Sequence, residues 1–215
     1  MSTFATDVVR ERSTPAILGQ VMFLVAVALA FAVAGTVMGR ELEEGTARIC
    51  SFAGFGMLIV TWFADAVRRG PLGIFWLNAI ALLIGLGLGP VIGYVAEVDP
   101  GALTSAAGIT ALTVLGMAAV GFALDKDLKG WMRPLSFVVI GAVIVSLGAL
   151  VFGGLGTLSP VLSLVILVAS ALLILVDFNY VRRHATEDDV VWLATGIFVS
   201  IVNIFISLLN LTAGD

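Results

Sequence analysis

The chain has 215 residues, of which 60% are hydrophobic and 12% are charged, and its formal net charge is −4. A soluble globular domain carries about 25% charged residues, so this composition lacks the polar surface that such a domain needs. The charges are clustered between long apolar stretches, and a transmembrane helix needs about 20 apolar residues in succession. The composition therefore excludes a soluble domain and predicts an all-α membrane protein.

The apolar stretches predict seven transmembrane helices. The charge-free run 134–176 would be ~65 Å long as one helix, about twice the thickness of a bilayer core. We therefore expect it to turn at 153–160, which is rich in Gly and ends in Pro160. In chain order the predicted spans are 16–38, 49–67, 70–96, 100–124, 135–152, 160–181 and 190–211. They form one domain at 16–212, after an N-terminal segment at 1–15.

Two local patterns refine these helices. Thr186, followed three residues later by Asp189, is typical of a helix start, so we interpret the acidic run 187–189 as a cap and not as a metal site. In the third span, Gly85, Gly89 and Gly93 recur every four residues and predict a close-packing face. Gly87 and Pro90 predict a kink in the same span. Packing alone explains the glycines, and the kink is also consistent with a hinge.

Basic residues predict the orientation of the bundle. Cytoplasmic loops of membrane proteins carry an excess of Lys and Arg. With the N-terminus in the cytoplasm, nine of the eleven basic residues fall inside: Arg10, Arg12, Arg68, Arg69, Lys126, Lys129, Arg133, Arg182 and Arg183. We therefore predict a multi-pass protein of the plasma membrane with a cytoplasmic N-terminus and an extracytoplasmic C-terminus.

The spans lack the residues that several membrane enzymes require. No His, Lys or Arg lies deep in any predicted span, and the single histidine, His184, falls in a loop. A retinal protein needs a buried lysine and an intramembrane serine protease needs a base beside its nucleophile. One histidine and one cysteine, Cys50, are too few for a zinc enzyme. We therefore expect no enzyme, no cofactor and no nucleic-acid partner, while any metal ligands remain unknown.

Polar residues inside the last two spans are the candidate functional side chains. Asp177 lies five residues before Arg182, and ionisable residues within a membrane often mark ion or proton pathways. Ser200, Asn203 and Ser207 are three and four residues apart, so they share one face of the seventh helix. These side chains are explained either by an ion pathway with a pH-responsive carboxyl or by hydrogen bonds between helices.

Several motifs in this order resemble the Bax inhibitor-1 family of seven-helix membrane proteins, in particular its bacterial members. Residues 85–90 (GLGLGP) are similar to the Gly-to-Pro segment of the third helix, and 124–128 (LDKDL) to the turn after the fourth. The most specific stretches are 176–179 (VDFN), 184–188 (HATED) and 200–205 (SIVNIF). The loop between the last two helices is one residue shorter here than in those members.

The resemblance implies a pH-sensitive calcium leak. In that family two aspartates on the sixth and seventh helices share protons, and an arginine near the end of the second helix closes the path. Asp177 matches the first aspartate, whereas the second position matches Ser200, which is not an acid. Arg68 or Arg69 matches the arginine. The departure at Ser200 weakens the paired-carboxylate mechanism, because a lone aspartate cannot titrate as a coupled pair.

Two function classes follow from the resemblance. The first is a leak for calcium or another cation, with Asp177 as the titrating site and Ser200 and Asn203 along the pathway. The second is a non-conducting protein that modulates a membrane protease or a stress response, as some relatives are thought to do. Membrane lipid is a partner in both, and we favour the leak.

Overall fold

The structure is a computed structural model that describes residues 14–152 and 158–212. Within these residues the chain forms seven α-helices and two short 3₁₀ turns, Asp65–Arg68 and Glu187–Asp189. The helices are α1 Thr14–Gly39, α2 Glu44–Phe63, α3 Gly70–Val98, α4 Pro100–Ala123, α5 Lys129–Phe152, α6 Leu158–Arg183 and α7 Val190–Thr212. Residues 1–13 of the predicted N-terminal segment and 153–157 of the predicted turn lie outside the described part.

All seven of these helices are long and apolar enough to cross a membrane, which confirms the predicted number of spans. Two of them, α6 and α7, form the interior: α7 packs against α6, α1 and α4, and α6 also packs against α4 and α5. Contacts between the loops bring 64–69, 124–128 and 184–189 to the same end of the bundle. We call these three segments the basic end, and it is the end predicted to face the cytoplasm.

The bounds of two helices differ from the prediction by four residues or more, and the first difference is the start of α2 at Glu44, five residues before the predicted start. α2 stops at Phe63, four residues before the predicted end, because Ala64 is extended and Arg68 reaches back to the carbonyl oxygens of Thr61 and Trp62. α5 starts at Lys129 and so includes Lys129 and Arg133, six residues before the predicted start. The predicted bounds followed the apolar run, whereas a helix continues past the hydrocarbon wherever its charged residues reach water.

Two of the three glycines predicted to form a close-packing face of α3, Gly85 and Gly89, do so, whereas Gly93 has only ordinary contacts with Arg40. A β-carbon at Gly85 would overlap the carbonyl of Ala32, and one at Gly89 would overlap the backbone of Gly39. α1 therefore packs along α3 with backbone nearly touching backbone, which side chains larger than hydrogen would prevent.

The start of α7 also confirms the prediction. The carboxylate of Asp189 accepts hydrogen bonds from the backbone N–H of Thr186, at 2.9 Å, and from its hydroxyl, at 2.8 Å. These bonds hold the turn Glu187–Asp189 that leads into α7. The turn fixes where α7 enters the membrane, and with it the depth of every polar residue on that helix.

Candidate functional site

The carboxyl of Asp177 is buried between α6 and α7. The residue is 5% exposed and lies six residues, or about 9 Å, before the end of α6 at Arg183. It faces α7 at Gly196, because a β-carbon built at Gly196 would lie 3.5 Å from Asp177 Oδ2. Gly196 is itself six residues into α7, so the two residues lie at the same depth.

Asp177 forms no ion pair and accepts no hydrogen bond from any residue in the ranges that the structure describes. It is also the one buried side chain in these ranges that can carry a charge. A charge at the centre of a bilayer costs at least ~2.5–3.5 kcal/mol on insertion scales. No ion pair or hydrogen bond in the described ranges offsets the cost of ionising Asp177 at its position in α6.

Ser200 lies one turn deeper than the residue that faces Asp177. It is 3% exposed and four residues beyond Gly196, about 6 Å farther from the basic end. No hydrogen bond joins its hydroxyl to Asp177 or to any other described residue. Gly196 and not Ser200 therefore stands level with the carboxyl, and Ser200 lies one turn beyond it on α7.

Asn203 shares the same interface at a greater depth. Seven residues turn a helix through about 700°, within 20° of two full turns. Ser170 therefore lies on the same face of α6 as Asp177, seven residues before it, and Asn203 lies on the same face of α7 as Gly196, seven residues after it. Both are about 10.5 Å farther from the basic end than the Asp177–Gly196 contact. Ser170 Oγ and Asn203 Nδ2 are both buried and have no hydrogen-bond partner among the described residues.

A further step of seven residues along α6 reaches Ser163, which is also buried. We call the following set the polar seam: Asp177, Ser170 and Ser163 of α6 with Ser200, Asn203 and Ser207 of α7. Sequence reasoning missed Ser170 and Ser163. Their spacing of seven residues from Asp177 was the signal that could have found them, since it places all three on one face of an apolar helix.

The two arginines predicted as gate partners bind elsewhere in this structure. Arg68 donates to the carbonyls at the end of α2 and lies 3.3 Å from Asp65. Arg69 Nη1 lies 3.4 Å from Asp188 Oδ2 and so links the start of α3 to the turn before α7. Neither guanidinium reaches Asp177, and the gate role of the arginines stays a prediction.

Asn179 joins α6 to the end of α4 through hydrogen bonds. Its side chain is fully buried: Oδ1 accepts from the N–H of Leu128 at 3.0 Å, and Nδ2 donates to the carbonyls of Gly121, at 3.2 Å, and Leu124, at 3.1 Å. Arg182 adds bonds to Phe122 and Leu124. The segment that carries Asp177 is thus held firmly at the basic end.

His184 is paired with the loop between α4 and α5. Its Nε2 lies 2.8 Å from Asp127 Oδ2, and its ring contacts Tyr180, one turn earlier on α6. The backbone N–H of Lys129, and after it the side chain of His184, hold the pKa of Asp127 below its ordinary value of 3.8. This pair lies at the basic end and is separate from the polar seam.

Metal ligands are not gathered anywhere in the described ranges, where no group of three or more His, Cys, Asp or Glu side chains could hold an ion. The site therefore offers one carboxyl, hydroxyls and an amide, arranged along an interface between two helices. Such groups can exchange a proton or contact a passing ion.

Comparison with known proteins identifies the family. Residues 14–215 match the model of the family described as inhibitor of apoptosis-promoting Bax1. The chain is 28% identical to an uncharacterized protein of Pseudomonas aeruginosa, over 95% of this chain and 91% of the relative. It is 28% identical to an uncharacterized membrane protein of Vibrio cholerae, over 98% and 95%.

A third relative carries a functional name. The chain is 27% identical to the Escherichia coli protein called modulator of FtsH protease YccA, over 93% of this chain and 90% of that one. The same alignment is obtained with an Escherichia coli protein named inner membrane protein YccA. Together with its seven apolar helices, these matches make the chain a multi-pass protein of the plasma membrane that belongs to the Bax inhibitor-1 family.

Proposed function

We propose that the protein is a proton-regulated cation leak in which Asp177 is the titrating side chain. The observation that carries the proposal is the buried carboxyl of Asp177, which contacts no partner in the described ranges and faces the polar side of α7 at Gly196. Ionisable residues inside a membrane mark ion and proton pathways by default. The polar seam extends this single group across much of the bilayer.

The surroundings of Asp177 favour control by protonation. The helices packed against α6 bring no buried charge toward it within the described residues, and Gly196 is its neighbour on α7. The nearest cations on its own helix, Arg182 and Arg183, are bound to the end of α4 and to Asp125. Protonation therefore changes the only buried charge at this level of the seam, and with it the attraction for a cation.

A flux assay tests the leak. Purified protein in liposomes should pass cations faster than empty liposomes, and Asp177→Asn should change that rate because it removes the charge while keeping the shape. Glu44→Gln is the matched control. Glu44 is an exposed acid that pairs with Arg48 at the start of α2, the end opposite the basic end, and loss of its charge should leave the rate unchanged. Equal rates for native and empty liposomes would refute the leak.

The name of one relative favours a second candidate, a non-conducting modulator of a membrane protease. The Escherichia coli relative is called a modulator of FtsH protease. Under this alternative, adding the protein to liposomes that hold FtsH should change the degradation rate of a membrane substrate, while cation flux stays at the empty-liposome level. An unchanged degradation rate would remove this candidate.

A further inference from the structure

The charge of the polar seam limits which ion it can carry. Asp177 is the one ionisable side chain among the buried residues that the structure describes, and every other member of the seam is a hydroxyl or an amide. The seam therefore supplies at most one negative charge. An ion that passes beside Asp177 is compensated by that charge and by neutral oxygen atoms.

A divalent cation does not match this charge. Calcium takes about six to eight oxygen ligands, and its protein sites use several carboxylates. Calcium beside one carboxylate would leave a net positive charge in a medium of low dielectric constant, where an uncompensated charge is very costly. A monovalent cation beside the same carboxylate forms a neutral pair, which avoids this cost.

The centre of the seam fits the same class of ion. Ser170 is completely buried, and its Oγ, like Asn203 Nδ2 at the same level, has no partner within the described ranges. A hydroxyl and an amide can replace part of the hydration shell of a singly charged ion, because the amide presents its oxygen or its nitrogen after a half-turn. Neutral groups add no formal charge against the second positive charge of a divalent ion, about 10.5 Å from the carboxyl.

We propose that the polar seam carries a monovalent cation and discriminates against calcium. Asp177 is its charged binding site, and Ser170 and Asn203 form its neutral binding site. This inference rests on the proposed leak and narrows its substrate. Protons, sodium and potassium share the required single charge. The inference also assigns a consequence to Ser200: its buried hydroxyl, one turn beyond Gly196, adds no charge, so Asp177 stays the one carboxylate of the seam.

Liposomes that hold the native protein and a trapped dye for H⁺, Na⁺, K⁺ or Ca²⁺ test the inference at equal concentration gradients and zero membrane potential. After the rate of empty liposomes is subtracted, Na⁺ or K⁺ should enter roughly tenfold faster than calcium, because one carboxylate balances only one of the two charges of calcium. Calcium entry as fast as that of both Na⁺ and K⁺ would overturn the inference and leave the leak standing. No entry of any ion would overturn both.

Ser200→Asp and Ser200→Asn form a matched pair that extends the test. The aspartate adds a second carboxylate one turn from the level of Asp177, whereas the asparagine has the same shape without a charge. Calcium entry should rise several-fold for Ser200→Asp relative to Ser200→Asn. Equal calcium entry in two folded variants would contradict the charge argument. If Ser200→Asp does not fold, the comparison of ions in the native protein still decides.

Discussion

Asn179 should contribute more to stability than any other polar side chain inside the bundle. Asn179→Ala removes three hydrogen bonds, of 3.0, 3.2 and 3.1 Å, to Leu128, Gly121 and Leu124. Hydrogen bonds inside membrane proteins average about 0.6 kcal/mol and reach about 1.7 kcal/mol. Leu124 keeps bonds from Arg182 and Arg183, so the loss should lie near the sum of three average bonds, about 2 kcal/mol.

Reversible unfolding in detergent micelles measures this loss. Asn203→Ala is the control, because it removes the same type of side chain from α7, where Asn203 makes no hydrogen bond to any described residue. The free energy of unfolding should fall by about 2 kcal/mol for Asn179→Ala and by much less for Asn203→Ala. Equal losses for the two variants would refute the reasoning that these three bonds hold α4 to α6.

Three other predictions concern topology, packing and pH. A reporter fused after Asp215 should behave as extracytoplasmic, and cytoplasmic activity there would overturn the predicted orientation. Gly85→Leu should prevent folding because its side chain would overlap α1, whereas Gly108→Leu, with open space around Gly108, should fold; equal expression of folded protein would contradict this packing. The lowered pKa of Asp127 means that its ionised form stabilises the fold, so this stabilisation is present above pH 3.8 and is lost as the pH falls through the lower folded value. Asp127→Asn should therefore lower the melting temperature at pH 7, and the difference from native should shrink in acid; a difference independent of pH would contradict the pairing.

Sequence reasoning predicted the fold well because the signals are long. Each span needs about 20 apolar residues, and seven such segments can be identified in the sequence without any tertiary information. The glycine spacing in α3 and the Thr186–Asp189 cap are local patterns, and the structure confirms both. The end of α2 was predicted incorrectly because it depends on Arg68 reaching back to the carbonyl oxygen of Thr61. The periodicity of apolar residues does not predict such a contact.

The site was predicted in part. Asp177 and Ser200 stand out as polar residues in apolar helices; both are buried, and Asp177 contacts α7 at Gly196. Which residue faces the carboxyl depends on the depth at which α7 enters the membrane, and this depth is set by a turn of a few residues. Gly196 has no side chain and therefore gave no signal. Ser170 was missed because a single buried serine is common in packed helices.

The most direct test of the central claim is the pH profile of cation flux in liposomes that hold native protein or Asp177→Asn. If Asp177 is the titrating side chain, the native rate should change with pH and the Asp177→Asn rate should be flat. Histidine is the residue type that changes charge between about pH 5 and 8, and His184→Gln should keep the native pH dependence. An Asp177→Asn profile that follows the native one would contradict the claim and place the sensor elsewhere.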